Sequence, residues 1–349
     1  MTSTALSELT SESCKIAVVN SSSFGRTCPD LMERLEELGS VRRVDVPSNI
    51  SGRDLARELA GHHFIIASVT PQFPESFFRG QKDALLIARH GIGCDNVDLP
   101  AATDHGVIVT RVTHEDERDA VAELSLSLIM TCIRQIIPAS DAVQERRWDK
   151  RATYVGKELS HMTVGIVGYG NIGSRVGEIV SEGFGAEVLA CDPNIADAVL
   201  RKTGVRPATL DQVLREADLI SFNASLNPDN YHFIGEDEFA LMKDGVIIVN
   251  TARGELIDTG ELVNALHEGK IASVGLDVAE TEPIEDDNPL LDFPNVHIVP
   301  HIGSYTERSI RKMDEKMVVD VETVLDSRIP HAVVNSAVLR SENRSGIQQ

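Results

Sequence analysis

Thr163-Val164-Gly165-Ile166-Val167 runs without a break into Gly168-Tyr169-Gly170-Asn171-Ile172-Gly173, and Ser174 to Val180, SRVGEIV, follows at helical spacing. The apolar run predicts a buried strand, the glycines a tight loop, and the last segment a helix whose N-terminus opens on that loop. In such a unit the first glycine permits the turn and the second lets the backbone approach a pyrophosphate. The third lets helix and strand pack closely, with the anion resting against unpaired helix amides. The next strand, expected at Glu187-Cys191, leads into Asp192, 24 residues beyond Gly168. A carboxylate there can accept hydrogen bonds from ribose hydroxyls and repel a 2′-phosphate. Asp192 is followed by Pro193 and no basic residue adjoins it, so NAD is expected rather than NADP. The competing reading, a glycine turn between core elements with Asp192 merely solvated, leaves the ordered succession of strand, loop, helix and carboxylate unexplained.

Outward from that unit, short β-branched runs alternate with amphipathic helical segments, the pattern of parallel sheets built from βαβ units. In the first third the expected strands are Ile16-Asn20, Arg43-Val46, Phe64-Ala67, Leu85-Ala88 and Val107-Thr110, enough for one small sheet. In the second half they are Thr163-Val167, Glu187-Cys191, Leu219-Phe222, Val246-Asn250, Ser273-Asp277 and Val296-Val299, several of them the continuous apolar runs of strands covered on both faces. Asp98 before Leu99-Pro100 reads as a helix cap with proline in the first turn. From Asp119 to Arg134 the spacing predicts a helix that continues past Pro138 to near Trp148. The polar tail Ser341-Gln349 is expected to fray.

The whole chain is 349 residues, about twice the ~150-residue domain prior, so two domains are expected. With 42% hydrophobic and 25% charged residues it has ample material for a core. Its 54 acidic and 33 basic residues leave a net charge of −21, which argues against nucleic acid or an anionic membrane surface as partner. The five cysteines are odd in number and lack metal-ligand spacing, so no metal site is expected and a reduced, cytoplasmic setting is. Neither a signal-peptide pattern nor an apolar stretch long enough to span a membrane is read.

Ligands of open α/β sheets bind beyond the carboxyl ends of the strands. Three residues stand there: Arg253 in NTARGELID, Glu282 in DVAETEP and His301 in VPHIGS. Hydride transfer between nicotinamide and a 2-hydroxy acid needs a cation to hold the carboxylate and a group to move the hydroxyl proton. Arg253 can grip the carboxylate with its guanidinium fork, His301 can shuttle the proton, and Glu282 can orient His301. Taken singly each has a plain structural reading, as a core histidine, a surface pair or a solvated loop; their joint placement after a cofactor loop sets them apart.

The chain resembles the D-isomer-specific 2-hydroxyacid dehydrogenase family, which includes phosphoglycerate dehydrogenase, glycerate and hydroxypyruvate reductases and D-lactate dehydrogenase. The likeness runs from HGIGCDNVDLPAATDHGVIV through DAVAEL, VGYGNIG, CDP, NTARGELID and GLDVAETEP to PHIGSYTE. It implies that Arg253, Glu282 and His301 are the catalytic set and that Ile92 and Gly93 offer backbone amides to the substrate carboxylate. Gly168, Tyr169, Gly170, Asn171, Ile172, Gly173, Asp192, Asn223, Thr251, Ala252 and Asp277 are the expected cofactor-binding positions, Asp277 also supporting the proton donor. The implied architecture is α/β, two doubly wound parallel-sheet domains, with a Rossmann-type NAD domain over 118–304 inserted into a smaller flavodoxin-like substrate domain of 1–117 and 305–349. A homodimer paired through the cofactor domains is also implied.

Three departures bear on selectivity. A charged loop, Arg111 to Arg118, replaces the family's Asn-Thr-Pro-Gly stretch; it reads as a solvated hinge, or as a place where His114 or Arg118 holds a polar substrate tail. Asn223 stands where the family has a histidine. Ser304 stands where D-lactate dehydrogenases carry a large aromatic, leaving room for a hydroxylated substrate and a binding site that takes Ile92, Gly93, Arg253 and Ser304 together. The expected activity is NAD-dependent reduction of a small anionic 2-oxo acid such as hydroxypyruvate or glyoxylate. Phosphoglycerate or phosphite oxidation on the same scaffold, and a non-enzymatic NAD-sensing corepressor-like module, stay open at this point.

Overall fold

The computed structural model describes residues 9–340, which leaves the tail at Ser341-Gln349 outside the described residues. Two compact units divide the chain, one of Met1–Glu117 with Ser304–Gln349 and one of Arg118–Gly303.

The smaller unit holds a five-stranded sheet of β1 (Lys15–Val19), β2 (Ser40–Val44), β3 (Phe64–Ala67), β4 (Leu86–Arg89) and β5 (Ile108–Arg111), in the order β2-β1-β3-β4-β5. Every pairing is parallel. Alternate residues feed two cores: Ile16, Val18, Phe64 and Ile66 pack on one face, Ala17, Val19, Ile65 and Ala67 on the other. The helix Glu307–Leu325 lays Ile310, Met313, Met317, Val321 and Val324 onto the first of these cores, so the C-terminal segment returns to the N-terminal sheet. Asp98 caps Leu99–Asp104 as expected, its carboxylate accepting from the Ala101 amide at 3.0 Å.

The larger unit holds seven parallel strands: β6 (Thr163–Val167), β7 (Glu187–Cys191), β8 (Arg206–Pro207), β9 (Leu219–Phe222), β10 (Val246–Asn250), β11 (Ile271–Leu276) and β12 (Val296–Ile298). Their order, β12-β11-β10-β9-β6-β7-β8, reverses direction beside β6. That reversal opens the crevice where doubly wound sheets bind nucleotides. Every residue of β9 and β10 is buried, and β10 sends Val246 and Ile248 to one core, Ile247 and Val249 to the other. Both units are therefore parallel α/β sheets covered on both faces.

Three local readings need correction. The second strand is Ser40–Val44 rather than Arg43-Val46; it is an edge strand in which only Val44 is buried, so its apolar signal is thin. The two-residue edge strand Arg206–Pro207 carries no such signal. The helix expected from Asp119 to near Trp148 begins at His114, stops at Arg134 and bends by 63° into Ile136–Gln144. Pro138 explains the break: it has no N–H to return to Arg134, and its ring crowds that carbonyl. Gln135 takes a left-handed φ of 51° at the corner. Among the described residues no single helix is long and apolar enough to cross a membrane.

Candidate active site

In the larger unit the chain leaves β6 through Gly168, whose φ of +87° suits glycine, and a Cβ there would stand 2.5 Å from the Ala224 amide nitrogen. At Gly173 a Cβ would meet the Gly168 carbonyl oxygen at 2.0 Å, so only glycine lets the helix Asn171–Glu178 start this close to the strand. Gly170 has open space where its Cβ would be, the gap a phosphate requires. The Tyr169 side chain turns inward, its hydroxyl 3.2 Å from Thr203 Oγ1, so its contribution at the loop is made by its backbone.

Asp192, directly after β7, comes to this loop. Its Oδ2 accepts from the Tyr169 amide and its Oδ1 from the Asn194 amide, each at 2.9 Å. A carboxylate oxygen can accept more than one bond, so both retain capacity for hydroxyls. Asn223, after β9, donates from Nδ2 to the Ser221 carbonyl and hydroxyl at 3.2 and 3.0 Å, while its buried Oδ1 has no partner. An open glycine gap, a helix N-terminus, a carboxylate and an unmet acceptor fit a dinucleotide along this edge.

The next strand end carries the arginine. Asn250, buried at the end of β10, accepts from the Ala252 amide at 3.0 Å and donates to the Arg253 carbonyl at 2.8 Å, which pins the turn Thr251-Ala252-Arg253. Thr251 Oγ1 lies 2.6 Å from Ser125 Oγ, and Arg253 Nη1 donates to the Ala252 carbonyl at 2.7 Å. Beyond the turn Gly254 lies so close to the following loop that a Cβ would come within 2.1 Å of the Ala279 carbonyl carbon.

That following loop carries the acid. Glu282 Oε1 accepts from the Ala279 amide at 3.1 Å, and its Oε2 faces His301 Nδ1 at 2.8 Å. Both side chains are about a quarter exposed, and His301 sits on a left-handed φ of 51°. With Nδ1 on Glu282, Nε2 is the nitrogen left for chemistry. Asp277 lies beneath this turn, 2% exposed, its two oxygens accepting from the Ile302 and Gly303 amides at 2.6 and 2.9 Å. Burial pushes its carboxyl up to about 6 against the pull of those amides and of His301. It shapes the His301 loop from below rather than presenting an open face.

In the smaller unit Ile92 and Gly93 occupy the turn after β4. The turn is anchored by His90, whose Nε2 meets Asp314 Oδ1 on the C-terminal helix at 2.8 Å; Asp314 Oδ2 accepts from the Gly25 amide at 2.9 Å. Ser304 is half-buried at the start of that unit's second segment. In the charged loop Thr113 bonds Asp116, and in the larger unit Arg118 and Arg175 share Asp119 at 3.0 and 3.3 Å. The His114 side chain lies outside what is described. Sequence reasoning missed Asn250, Ser125 and Gly254; the only trace was an Asn closing an apolar run and a Gly after the arginine.

Residues 126–303 match the model of the D-isomer specific 2-hydroxyacid dehydrogenase NAD binding domain. The chain is 35% identical over 261 residues to a glyoxylate reductase of Aeropyrum pernix, covering 73% of this chain and 77% of that one. It is 33% identical over 307 residues to a D-3-phosphoglycerate dehydrogenase of Methanocaldococcus jannaschii, covering 88% of this chain but only 57% of that longer relative. Its fold superposes on the crystal structure of D-lactate dehydrogenase from Aquifex aeolicus, complexed with NAD and lactic acid, with a TM-score of 0.77, 29% identity, and coverage of 89% and 95%.

Proposed function

The chain belongs to the D-isomer specific 2-hydroxyacid dehydrogenase family, and from that membership we propose that it reduces a small, polar 2-oxo acid, hydroxypyruvate or glyoxylate in kind, with NADH to the corresponding 2-hydroxy acid, the D-isomer where the new carbinol carbon is chiral. NADH, when bound, would supply the hydride from its nicotinamide ring. The backbone amides from Gly170 to Gly173 would hold the pyrophosphate across the turn that Gly168 and Tyr169 make, Asp192 would take the ribose hydroxyls, and Asn223, Thr251 and Ala252 would border the cofactor. Arg253 grips the substrate carboxylate, a task its planar fork performs and a lysine cannot. His301, held by Glu282, would give its Nε2 proton to the substrate carbonyl oxygen as the carbonyl carbon takes up hydride, and Asp277 steadies the His301 turn.

The observation that carries this reading is the 2.8 Å pairing of His301 Nδ1 with Glu282. It fixes the ring with one nitrogen on an orienting carboxylate and the other available, the arrangement of a general acid. A small Ser304 and the charged loop at Arg111 to Arg118 support a polar substrate over pyruvate. NADH oxidation, with NADPH in parallel, against hydroxypyruvate, glyoxylate, pyruvate, 2-oxoisocaproate and phosphohydroxypyruvate tests it. The reading expects NADH-linked rates highest on the polar two, and a strong preference for pyruvate or a branched oxoacid would refute the substrate class.

We further propose a homodimer formed through the larger unit. Ile136, Ile137, Val143, Trp148 and Val155 are all exposed within one stretch, Trp148 at 67% and Val155 at 78%, an apolar face that a second copy would cover. Sedimentation of wild type and Trp148→Glu checks it. A cytoplasmic location accords with five cysteines that form no disulfide.

A further inference from the structure

The two loops that carry Arg253 and Glu282 meet at a third residue, and it is charged on every side. His232 follows β9 on a segment that pairs with the chain just beyond Arg253: its amide donates to the Glu255 carbonyl at 2.8 Å, the Ile234 amide to Leu256 and the Asp258 amide to Ile234. Its ring reaches both loops. Nε2 lies 2.7 Å from Glu280 Oε1, and Nδ1 lies 3.3 Å from Asp258 Oδ2. Glu280 stands two residues before Glu282, and its other oxygen accepts from the Thr259 amide at 3.4 Å. The Tyr231 ring stacks on the imidazole with centroids 4.0 Å apart. His232 holds a left-handed φ of 49°, a conformation tolerated where side-chain bonds compensate.

We propose that His232 is a positioning residue for the reaction, a side-chain staple that sets the Arg253 loop against the Glu282 loop and so fixes the carboxylate grip relative to the proton donor. The proposal rests on the functional reading above. The geometry accounts for it directly. One ring touches both loops: Nε2 is hydrogen-bonded to Glu280 on the loop before Glu282, and Nδ1 faces Asp258 on the loop after Arg253. The charged or titratable groups around the ring are Tyr231 on its own segment, Glu255 and Asp258 on the loop after Arg253, and Glu280 on the loop before Glu282.

Steady-state kinetics of the full-length protein test the staple. His232→Leu should lower kcat/KM for hydroxypyruvate or glyoxylate roughly tenfold, the scale of a sub-ångström misplacement, with most of the loss in the oxoacid KM. NADH affinity by fluorescence titration should stay within about twofold, because the glycine loop lies at another strand end. His232→Gln, which keeps one donor, should recover part of the loss. Should His232→Leu fail to fold, Glu280→Gln carries the test with a severalfold rise in oxoacid KM. Unchanged oxoacid kinetics in the folded variants, or NADH binding lost in step with them, overturns the staple alone. A wild-type protein with no NADH-linked rate on any oxoacid overturns the reading beneath it as well.

Discussion

Replacing Gly254 with alanine adds one methyl group at the place where the arginine and glutamate loops touch. The new Cβ would stand 2.1 Å from the Ala279 carbonyl carbon, 2.3 Å from its oxygen and 2.3 Å from the Glu280 nitrogen. All three are backbone atoms, so no side chain can swing away, and ordinary carbon contacts need about 3.5 Å. The loops must therefore part by about 1 Å or more, moving Arg253 away from the Glu282–His301 pair. A displacement of that size near reacting groups lowers rate by about a hundredfold, and overpacking of this kind costs about 1–3 kcal/mol of stability. The assay is NADH oxidation with the preferred oxoacid, alongside thermal unfolding and NADH titration of the same samples. Gly183→Ala serves as control, since nothing lies within 4 Å of a Cβ there. A Gly254→Ala protein within about threefold of wild type in kcat/KM would show that the approach of these loops does not set the catalytic geometry.

Two further predictions concern carboxylates. Asp192→Ala should weaken NADH binding by about tenfold, the worth of a charged hydrogen bond, and narrow the preference for NADH over NADPH; an unchanged ratio in parallel titrations would remove Asp192 from cofactor choice. Asp277 has a folded-state value of about 6, raised from 3.8 chiefly by burial. A raised value means that the fold binds the proton more tightly, so this group's contribution to stability is complete below about pH 3.8 and fades as pH rises through about 6. Asp277→Asn cannot titrate, so the melting temperature of wild type relative to Asp277→Asn should decline from pH 4 to pH 7. A difference that stays flat across that interval would contradict a buried, proton-retaining Asp277.

The parts of this fold that were legible in the chain are those where burial imposes an unbroken apolar run. Thr163–Val167, Glu187–Cys191, Leu219–Phe222 and Val246–Asn250 were placed to the residue, because strands covered on both faces stop sharply at Gly, Asp or Asn. The edge strands at Ser40–Val44 and Arg206–Pro207 were misplaced or missed, since an edge is free to carry arginine and proline. The site divides the same way. The placement of Arg253, Glu282 and His301 was legible because each follows a strand, and a parallel sheet brings the carboxyl ends of its strands to one edge. Asn250 under the arginine turn, Gly254 between the loops and His232 bridging Asp258 and Glu280 depend on how loops approach one another, which no periodicity records. Asp277 was named through the resemblance, whereas its depth in the fold, beneath the Ile302 and Gly303 amides, was not legible.

The most direct test of the central claim is NADH-linked turnover of glyoxylate and hydroxypyruvate by wild type and His301→Asn, with NADH affinity measured on the same preparations. Loss of a general acid lowers turnover by about 10²- to 10⁴-fold. The account predicts a clear wild-type rate, a loss of at least about a hundredfold in His301→Asn, and NADH binding that differs little between the two. A His301→Asn protein that turns over at near the wild-type rate would contradict it.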